Sequence, residues 1–312
     1  MPSKRDLLSV TDLSPDETLG IIRRAREMKA EGPPKPLRDK SVALLFEKPS
    51  LRTRTSFQVG IQRLGGYSLY LGQEEVGLGT REPVSDVARV LSGYVDCIVA
   101  RVFSHRHLVE LAQYAGVPVI NALSDWEHPC QTLADLLTID EHVGRLEGVK
   151  LAFIGDGNNV ARSLCLALPA LGASFAIAAP EGYNLDGASL DQARDRARER
   201  AGSRPAEVLA LTDPADAVKD ADVVYTDVWA SMGQEEEAAR RNQAFRGYTV
   251  DPALLSQAKA GALFMHDMPA HYGEEVPPGM LEHPQSVAYK QAHNRLHAQM
   301  ALLEFVFDQS GA

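Results

Sequence analysis

The feature that most constrains the fold is a regular alternation of short apolar runs with segments of helical periodicity. Runs of this length predict buried strands, and apolar residues three or four positions apart predict the helices between them. Strands that alternate with helices form parallel sheets covered on both faces, so the sequence predicts an α/β fold with doubly wound parallel sheets. The apolar runs lie at residues 41–46, 67–71, 97–100, 117–120, 151–154, 174–178, 207–211, 222–225 and 262–265.

The alternation restarts near residue 146, which indicates two domains. A long helix predicted at 131–142 is followed by a polar turn and then by a new buried strand. A chain of 312 residues is long enough for two cores of ordinary size. We expect a first domain at 1–139, a second at 140–288, and a terminal helix from about 289 to 312 that packs back on the first domain. Because ligands of open α/β sheets gather at the carboxyl ends of the strands, we expect the active site in the cleft between the domains.

The turn after the first predicted strand carries the strongest ligand-binding signal, Ser50-Leu51-Arg52-Thr53-Arg54. Helical spacing resumes at Phe57, so these residues lie at a helix N-terminus, where free N–H groups and the helix dipole favour an anion. An ordinary helix cap explains Ser50, but not two arginines among the hydroxyl groups of Ser50, Thr53 and Thr55. Guanidinium forks match phosphate oxygens. The stretch therefore predicts a phosphate site.

Polar residues also follow other strands. Arg101 ends an apolar run, and His128 and Gln131 lie three residues apart around a helix start, where they suit a carbonyl group and an amide. Asp227 follows the 222–225 strand and can hold an ammonium, with the small-residue loop Ser231-Met232-Gly233 beside it. Each group has a simpler interpretation: Arg101 as a surface arginine, the segment around His128 as a helix cap, and the segment after Asp227 as a turn. The whole set favours transfer of a group from a small acyl phosphate to an amine.

Three further patterns give weaker signals. Gly155-Asp156-Gly157 resembles half of a dinucleotide fingerprint, but Val160 stands where the third glycine belongs, so a nicotinamide-dependent dehydrogenase is a minor alternative. Asn158 and Asn159 at the next helix start can reach a polar ligand. The histidines and the aspartate of 266–271 are possible metal ligands without a fourth, so we expect no metal and no organic cofactor.

Charge and cysteine content limit the classes of partner. The formal net charge of −10 argues against nucleic acid and anionic membranes. The three cysteines, Cys97, Cys130 and Cys165, are far apart, which indicates a reducing compartment without a disulfide framework. No apolar run approaches the roughly 20 residues of a membrane span, and the N-terminus lacks a hydrophobic signal core. We expect a cytoplasmic protein with small-molecule partners.

These residues together resemble the carbamoyltransferase family, and most closely its ornithine branch, over nearly the whole chain. Residues 50–54 are similar to the family's S-T-R-T-R signature, and His128-Pro129-Cys130-Gln131 is similar to H-P-x-Q. Asp227 with Ser231-Met232-Gly233 is similar to the branch-specific D-x-x-x-S-M-G loop. Arg295 corresponds to the arginine of the E-N-R segment, and residues 266–269 take the place of H-C-L-P.

The resemblance implies transfer of the carbamoyl group from carbamoyl phosphate to the δ-amine of L-ornithine, giving L-citrulline and phosphate in arginine biosynthesis or the arginine deiminase pathway. It implies catalytic roles for Arg52, Thr53, Arg101, His128 and Asp267, and ornithine contacts at Asn159, Asp227, Ser231 and Met232. It further implies a homotrimer, or a higher assembly of trimers. The carbamoyl-phosphate contacts that it implies are Ser50, Leu51, Arg52, Thr53, Arg54, Gly77, Arg101, His128, Pro129, Cys130, Gln131, Asp267, Met268 and Arg295.

Two positions depart from the family's pattern. Asp267 stands where the family usually has cysteine; a carboxylate there can pair with a side-chain ammonium, but it also repels phosphate. Gly77 stands where many members carry a glutamine or histidine that reaches a neighbouring subunit's phosphate site. Two alternatives therefore stay open: a carbamoyltransferase that uses a different amine or amino acid as acceptor, and a non-catalytic ligand-binding relative.

Overall fold

The computed structural model describes residues 4–200, 206–230 and 235–310. Contacts along the chain divide it into two compact units. Unit 1 comprises Met1–Leu137 and His293–Ala312, and unit 2 comprises Thr138–Ala292. The chain passes from one unit to the other within a helix on both occasions.

Unit 1 is built on a sheet of four parallel strands in the order β2-β1-β3-β4. Strand β1 is central and buried along almost its whole length, as expected for an apolar strand covered on both faces. The elements up to the first crossing between units are α1 (Pro15–Glu31), β1 (Ser41–Phe46), α2 (Leu51–Arg63), β2 (Tyr67–Gly72), α3 (Gln73–Val76), α4 (Val84–Leu91), β3 (Cys97–Arg101), α5 (His105–Tyr114), β4 (Val119–Leu123) and α6 (Pro129–Val143).

Unit 2 repeats the plan with five parallel strands in the order β7-β6-β5-β8-β9. Its elements, with the helix that returns the chain to unit 1, are β5 (Lys150–Ile154), α7 (Asn159–Ala167), β6 (Ser174–Ala178), α8 (Gly187–Glu199), β7 (Val208–Leu211), α9 (Pro214–Val218), β8 (Val223–Thr226), α10 (Ala238–Ala244), α11 (Pro252–Leu255), β9 (Leu263–His266) and α12 (Ala288–Ser310). Among the described residues, no helix is both long enough and apolar enough to cross a membrane.

Each sheet reverses its winding once, and these reversals determine where polar side chains converge. In unit 1 the chain winds outward from β1 to β2 and then resumes on the other side of β1 at β3. In unit 2 the same reversal lies between β5 and β8. Crossover connections diverge on the two sides of such a point and leave a crevice at the carboxyl ends of the two strands, where ligands of open α/β sheets bind.

The predicted fold class is confirmed, with two parallel-sheet α/β units. Two local predictions were wrong. The spacing after Pro83 predicts a helix with Val87, Val90 and Leu91 inside, but Val90 is 51% exposed because the buried stripe of α4 runs through Val84, Val87, Ala88 and Leu91. The glycine-rich, charged stretch 74–82 predicts an exposed loop, yet α3 extends into it as far as Val76, and Val76 and Leu78 are buried in the core of unit 1.

Candidate active site

The turn between β1 and α2 has the predicted form of a capped helix start. Ser50 is the N-cap of α2, and its hydroxyl accepts a hydrogen bond from the Thr53 N–H at 3.2 Å. Thr53 is fully buried. Arg54 points to solvent, where its guanidinium lies 3.6 Å from the centre of the Tyr70 ring, and Leu51 is 78% exposed. The turn therefore aims the Thr53 side chain inward and the Arg54 side chain outward.

A buried guanidinium joins this turn to the start of α6. Arg295, on α12, is only 3% exposed. Its Nη2 donates to Thr53 Oγ1 at 2.5 Å, and its Nη1 donates to Gln131 Oε1 at 2.9 Å. Gln131 in turn donates through Nε2 to Asp135 Oδ1 at 2.8 Å. The structure thus brings together three residues from three separate sequence motifs.

Arg101 and His128 belong to the same buried group. The ladder between β3 and β4 shifts its register between Ala100 and Arg101, so that the last residue of β3 pairs with Leu123. Arg101 is 5% exposed and His128 is 3% exposed. Burial and the positive charges of Arg295 and Arg101 hold the pKa of His128 well below its usual value, so its imidazole is neutral.

The chemistry of this group suits a small acyl phosphate. Guanidinium groups and a helix N-terminus supply positive charge for phosphate oxygens. A neutral imidazole can hydrogen-bond a carbonyl oxygen without adding a further charge. Cys130 has its pKa raised to about 12 by burial and donates to the Asn121 carbonyl at 3.3 Å, so it is an inert thiol. Gly77 ends α3 in the left-handed conformation, at φ 52°.

Sequence reasoning missed the acids that hold these elements in place. Glu47 accepts a hydrogen bond from the Phe103 N–H at 2.7 Å, and its own N–H donates to the Arg101 carbonyl at 2.8 Å, which ties the end of β1 to the end of β3. Glu127 is 1% exposed and accepts from the Val10 N–H at 3.0 Å. Their positions could have indicated them, because Glu47 directly follows the β1 strand and Glu127 directly precedes His128.

In unit 2, Asp227 lies at the carboxyl end of β8 and is 6% exposed. Asn158 donates through Nδ2 to Asp227 Oδ2 at 2.6 Å, while its Oδ1 caps α7 by accepting from the N–H groups of Val160 and Ala161 at 3.0 Å. Asn159, the residue that the family resemblance selects, is half-buried at the first position of α7. The side chains of Asn158 and Asp227 therefore meet at the point where the second sheet reverses its winding. Ser231, Met232 and Gly233 lie outside the described residues.

Asp267 and Met268 directly follow β9, also in unit 2. Ligand atoms of Asp227, His266 and Asp267 lie within 4.8 Å of one another. However, His266 Nδ1 accepts from the Met268 N–H at 2.9 Å, so Nε2 carries the proton that is shared with Glu275 Oε1 at 3.1 Å. Because its lone pair is committed, His266 is a poor metal ligand. The two neighbouring carboxylates instead suit an ammonium group.

The Gly155-Asp156-Gly157 turn does not form a dinucleotide site. A Cβ atom at Gly157 would lie 2.5 Å from the backbone of Asn184 and Leu185, so the turn closes on the protein's own chain. Asp156 forms an ion pair with Arg241 at 2.9 Å, and a carboxylate at this point repels a pyrophosphate. These contacts disfavour the dehydrogenase alternative.

Replacing Gly157 with alanine is expected to destabilise the protein by about 1–3 kcal/mol, because backbone atoms must move to admit the methyl group. Gly187→Ala is the matched control, since a Cβ atom there meets nothing within 4 Å and the residue opens α8. The control should melt at or slightly above the wild-type temperature. Differential scanning calorimetry of the three proteins tests this, and equal melting temperatures for both variants would contradict it.

Comparison with known proteins accounts for both halves of this arrangement. Residues 5–141 match the family model described as "Aspartate/ornithine carbamoyltransferase, carbamoyl-P binding domain", and residues 147–306 match the one described as "Asp/Orn binding domain". An ornithine carbamoyltransferase of Thermococcus kodakarensis is 49% identical over 306 residues, which cover 97% of this chain and 96% of that protein. One of Bacillus subtilis is 47% identical over 302 residues, covering 97% and 93%.

A solved structure gives the same result in three dimensions. The ornithine carbamoyltransferase from Pyrococcus furiosus superposes with a TM-score of 0.91 at 48% identity, covering 96% of both chains. Identity at this level over nearly the full length is accompanied by matching models for both halves of the chain. This chain belongs to the aspartate/ornithine carbamoyltransferase family.

Proposed function

We propose that this chain transfers the carbamoyl group from carbamoyl phosphate to the δ-amine of L-ornithine, giving L-citrulline and phosphate. The observation that carries the proposal is the buried Arg295 fork on Thr53 and Gln131, with neutral His128 and Arg101 in the same group. Thr53, Arg101, His128 and Gln131 lie in residues 5–141, which match a carbamoyl-P binding domain, and Arg295 reaches Thr53 and Gln131 from α12.

The donor is held at its phosphate by the α2 N-terminus together with Ser50, Arg52, Thr53 and Arg295, with Leu51, Arg54 and Gly77 at the margin of the site. Arg101, His128 and Thr53 hold the carbonyl oxygen. As the tetrahedral intermediate forms, negative charge develops on that oxygen, and donors already in place stabilise it without reorganisation. Backbone atoms of Pro129 and Cys130 and the Gln131 amide orient the carbamoyl NH₂ group.

The acceptor is held in unit 2 by its amino-acid end. Asp227, Asn159 and the loop residues Ser231 and Met232 bind the α-ammonium and α-carboxylate groups, and Asn158 keeps Asp227 in position. Asp267 and Met268 border the reacting amine. The free amine attacks the carbonyl carbon, a C–N bond forms, the C–O bond to phosphate breaks, and the amine's proton leaves with the departing phosphate. Positioning supplies most of the remaining rate.

One observation favours an alternative acceptor. Asp227 and Asp267 place carboxylate oxygens within 4.8 Å, so two acidic groups border the proposed amine site. This pair would also suit a diamine that lacks a carboxylate. A panel of L-ornithine, N-acetyl-L-ornithine, L-aspartate and putrescine separates these possibilities.

The decisive experiment incubates the purified chain with carbamoyl phosphate and each acceptor in turn, and measures carbamoylated product by a colorimetric ureido assay. We expect turnover with L-ornithine and little with the other three acceptors. If another amine were clearly preferred, that amine and not ornithine would be the acceptor. If no acceptor were carbamoylated, the chain would be a non-catalytic relative.

We further propose that the protein acts as a homotrimer, or an assembly of trimers, in the cytoplasm. Support for association comes from large apolar side chains of unit 1 that stay exposed, including Leu51 at 78%, Tyr67 at 69% and Tyr94 at 75%. Light scattering after size exclusion should give a multiple of three times the 34.0 kDa chain mass.

A further inference from the structure

A second buried arginine organises the part of unit 2 that contains Asp227. Arg241, on α10, is 8% exposed. Its Nη1 lies 2.9 Å from Asp156 Oδ2 and donates to the Trp229 carbonyl at 3.0 Å, while its Nε donates to Glu237 Oε2 at 3.1 Å. One guanidinium thus joins the β5–α7 turn, the segment that follows β8, and α10.

These contacts close into a ring that starts and ends beside Asp227. We call Asp227, Asn158, Asp156, Arg241 and Trp229 the acceptor ring. Asn158 donates to the Asp227 carboxylate at 2.6 Å, and its N–H donates to the Asp156 carbonyl at 2.7 Å within one turn. Arg241 then leads from the Asp156 carboxylate to the Trp229 carbonyl, two residues after Asp227. The ring therefore fixes both the Asp227 carboxylate and the backbone that follows it.

Aromatic packing holds the part of the acceptor ring that contains Trp229 and Arg241. The Trp229 ring stacks on Phe245 with centroids 5.6 Å apart, and Tyr183 packs edge-on against the same Phe245 ring at 5.0 Å. The Arg241 guanidinium lies 5.2 Å from the Tyr183 ring centre, and the Gly157 N–H donates to the Tyr183 carbonyl at 2.7 Å. A small shift of Arg241 would therefore be transmitted to the turn that holds Asn158.

The charges around Asp156 give the ring a function. Asp156 faces one cation, Arg241, and two other acids, Asp227 and Glu237. While Asp156 is ionised, its charge holds the Arg241 guanidinium against the β5–α7 turn, and Asn158 on that turn holds the Asp227 carboxylate. Without the Asp156 charge, Glu237 is the acid that still pairs with Arg241, so the link from α10 to the turn beside Asp227 weakens.

We infer that Asp156 and Arg241 are positioning residues for the amino-acid acceptor: the ionised pair keeps Asp227 available to the acceptor's ammonium, and loss of the pair weakens acceptor binding but not donor binding. The inference rests on the proposed function and extends it to residues that do not touch either substrate. Burial raises the pKa of Asp156 to about 6 in spite of Arg241, so protonation below that pH should weaken acceptor binding in the same way.

The test measures the inhibition constant of L-2-aminopentanoate, which is ornithine without its δ-amine, because its two α-groups keep their charges from about pH 5 to 7. Asp156→Asn removes one charge and keeps the shape of the side chain. We expect it to raise this constant by about tenfold, the loss of one hydrogen bond to a charged group. The KM for carbamoyl phosphate should change by less than about twofold.

The pH dependence of this inhibition constant distinguishes a charge effect of Asp156 from a purely structural role, which would leave the dependence unchanged. For the wild type, the constant should rise about fivefold from pH 7 to 5 as Asp156 takes up a proton. For Asp156→Asn, which is neutral throughout, this rise should disappear. Titration of the donor's phosphate affects both proteins equally.

Asp186→Asn is the matched control. It disrupts the Arg162–Asp186 pair, which lies at 3.0 Å in the same unit and contains an equally buried arginine at 9% exposed. Its inhibition constant should stay within about twofold of wild type. If Asp156→Asn melts far below wild type, Arg241→Lys replaces it as the test variant. Lysine keeps the positive charge but loses the planar fork, so the inhibition constant should rise to a value between those of the wild type and Asp156→Asn.

The two proposals fail in different ways. A wild type that forms citrulline, with Asp156→Asn and Arg241→Lys both binding the inhibitor as tightly as wild type, overturns the inference and leaves the proposed function intact. A wild type that forms no citrulline overturns both. Equal weakening by Asp156→Asn and Asp186→Asn would also overturn the inference, because it would show a general response of unit 2 to the loss of an ion pair.

Discussion

Replacing Arg101 with methionine is expected to lower kcat for citrulline formation by about 10²–10³-fold, the usual cost of removing one donor from a developing oxyanion. Arg101 is 5% exposed at the irregular end of β3, and its charge helps to lower the pKa of His128. Methionine fills a similar buried volume without charge. The loss should therefore fall on the chemical step, with KM for ornithine little changed.

Arg106→Met is the control for this prediction, since Arg106 is exposed at the start of α5, five residues farther along the chain. Its kcat should equal that of the wild type. Steady-state ureido assays of the three proteins provide the measurement. An Arg101→Met enzyme within about threefold of wild-type kcat would show that Arg101 does not contact the reacting carbonyl group.

Replacing Arg295 with lysine is expected to raise KM for carbamoyl phosphate by about 10²-fold, which corresponds to roughly 2.7 kcal/mol. Arg295 uses two different nitrogens for Thr53 and Gln131, and both are on one planar fork. A lysine ammonium is a single point that cannot reproduce this geometry, and it leaves a buried amide or hydroxyl group unsatisfied. The unfolding free energy should also fall by about 1–3 kcal/mol.

The matched control is Arg63→Lys, the same chemical change at an exposed position at the end of α2. It should leave both KM and stability unchanged. Isothermal titration with carbamoyl phosphate, or initial rates against donor concentration, distinguishes the variants. If Arg295→Lys bound the donor as well as Arg63→Lys does, the fork would be a structural link between helices and not a phosphate ligand.

Parts of the site with local signals could be predicted from the sequence. The β1–α2 turn follows from an apolar strand, a serine cap and helical spacing after it, all within about 20 residues of one another. Arg101 was predicted as a ligand because it ends an apolar run, and Asp227 because it directly follows one. The position of Asn158 and Asn159 at a helix start was also predictable, but which of the two contacts Asp227 depends on the direction of each side chain, which spacing does not determine.

Other parts depend on long-range packing that no local pattern encodes. Arg295 meets Thr53 across 242 positions of the chain, and no local spacing connects two residues that far apart. Arg241 gave no signal at all, because it stands next to Arg240 in a strongly charged segment. The structure separates the two: Arg240 is exposed, whereas Arg241 is buried against Asp156 and the Trp229 carbonyl. Burial of one arginine in a pair is decided by the elements that pack around it.

The passage of α12 back into unit 1 has a consequence for synthesis on the ribosome. Thr53 and Gln131 emerge early, but the guanidinium that joins them is 242 positions after Thr53, with all of unit 2 translated in between. N-terminal units generally fold first during translation. On the proposed function, the nascent first unit therefore lacks one of its phosphate-binding side chains until the last helix is made. Premature termination before residue 295 should therefore yield a chain that contains every residue of the β1–α2 motif and still binds the donor poorly.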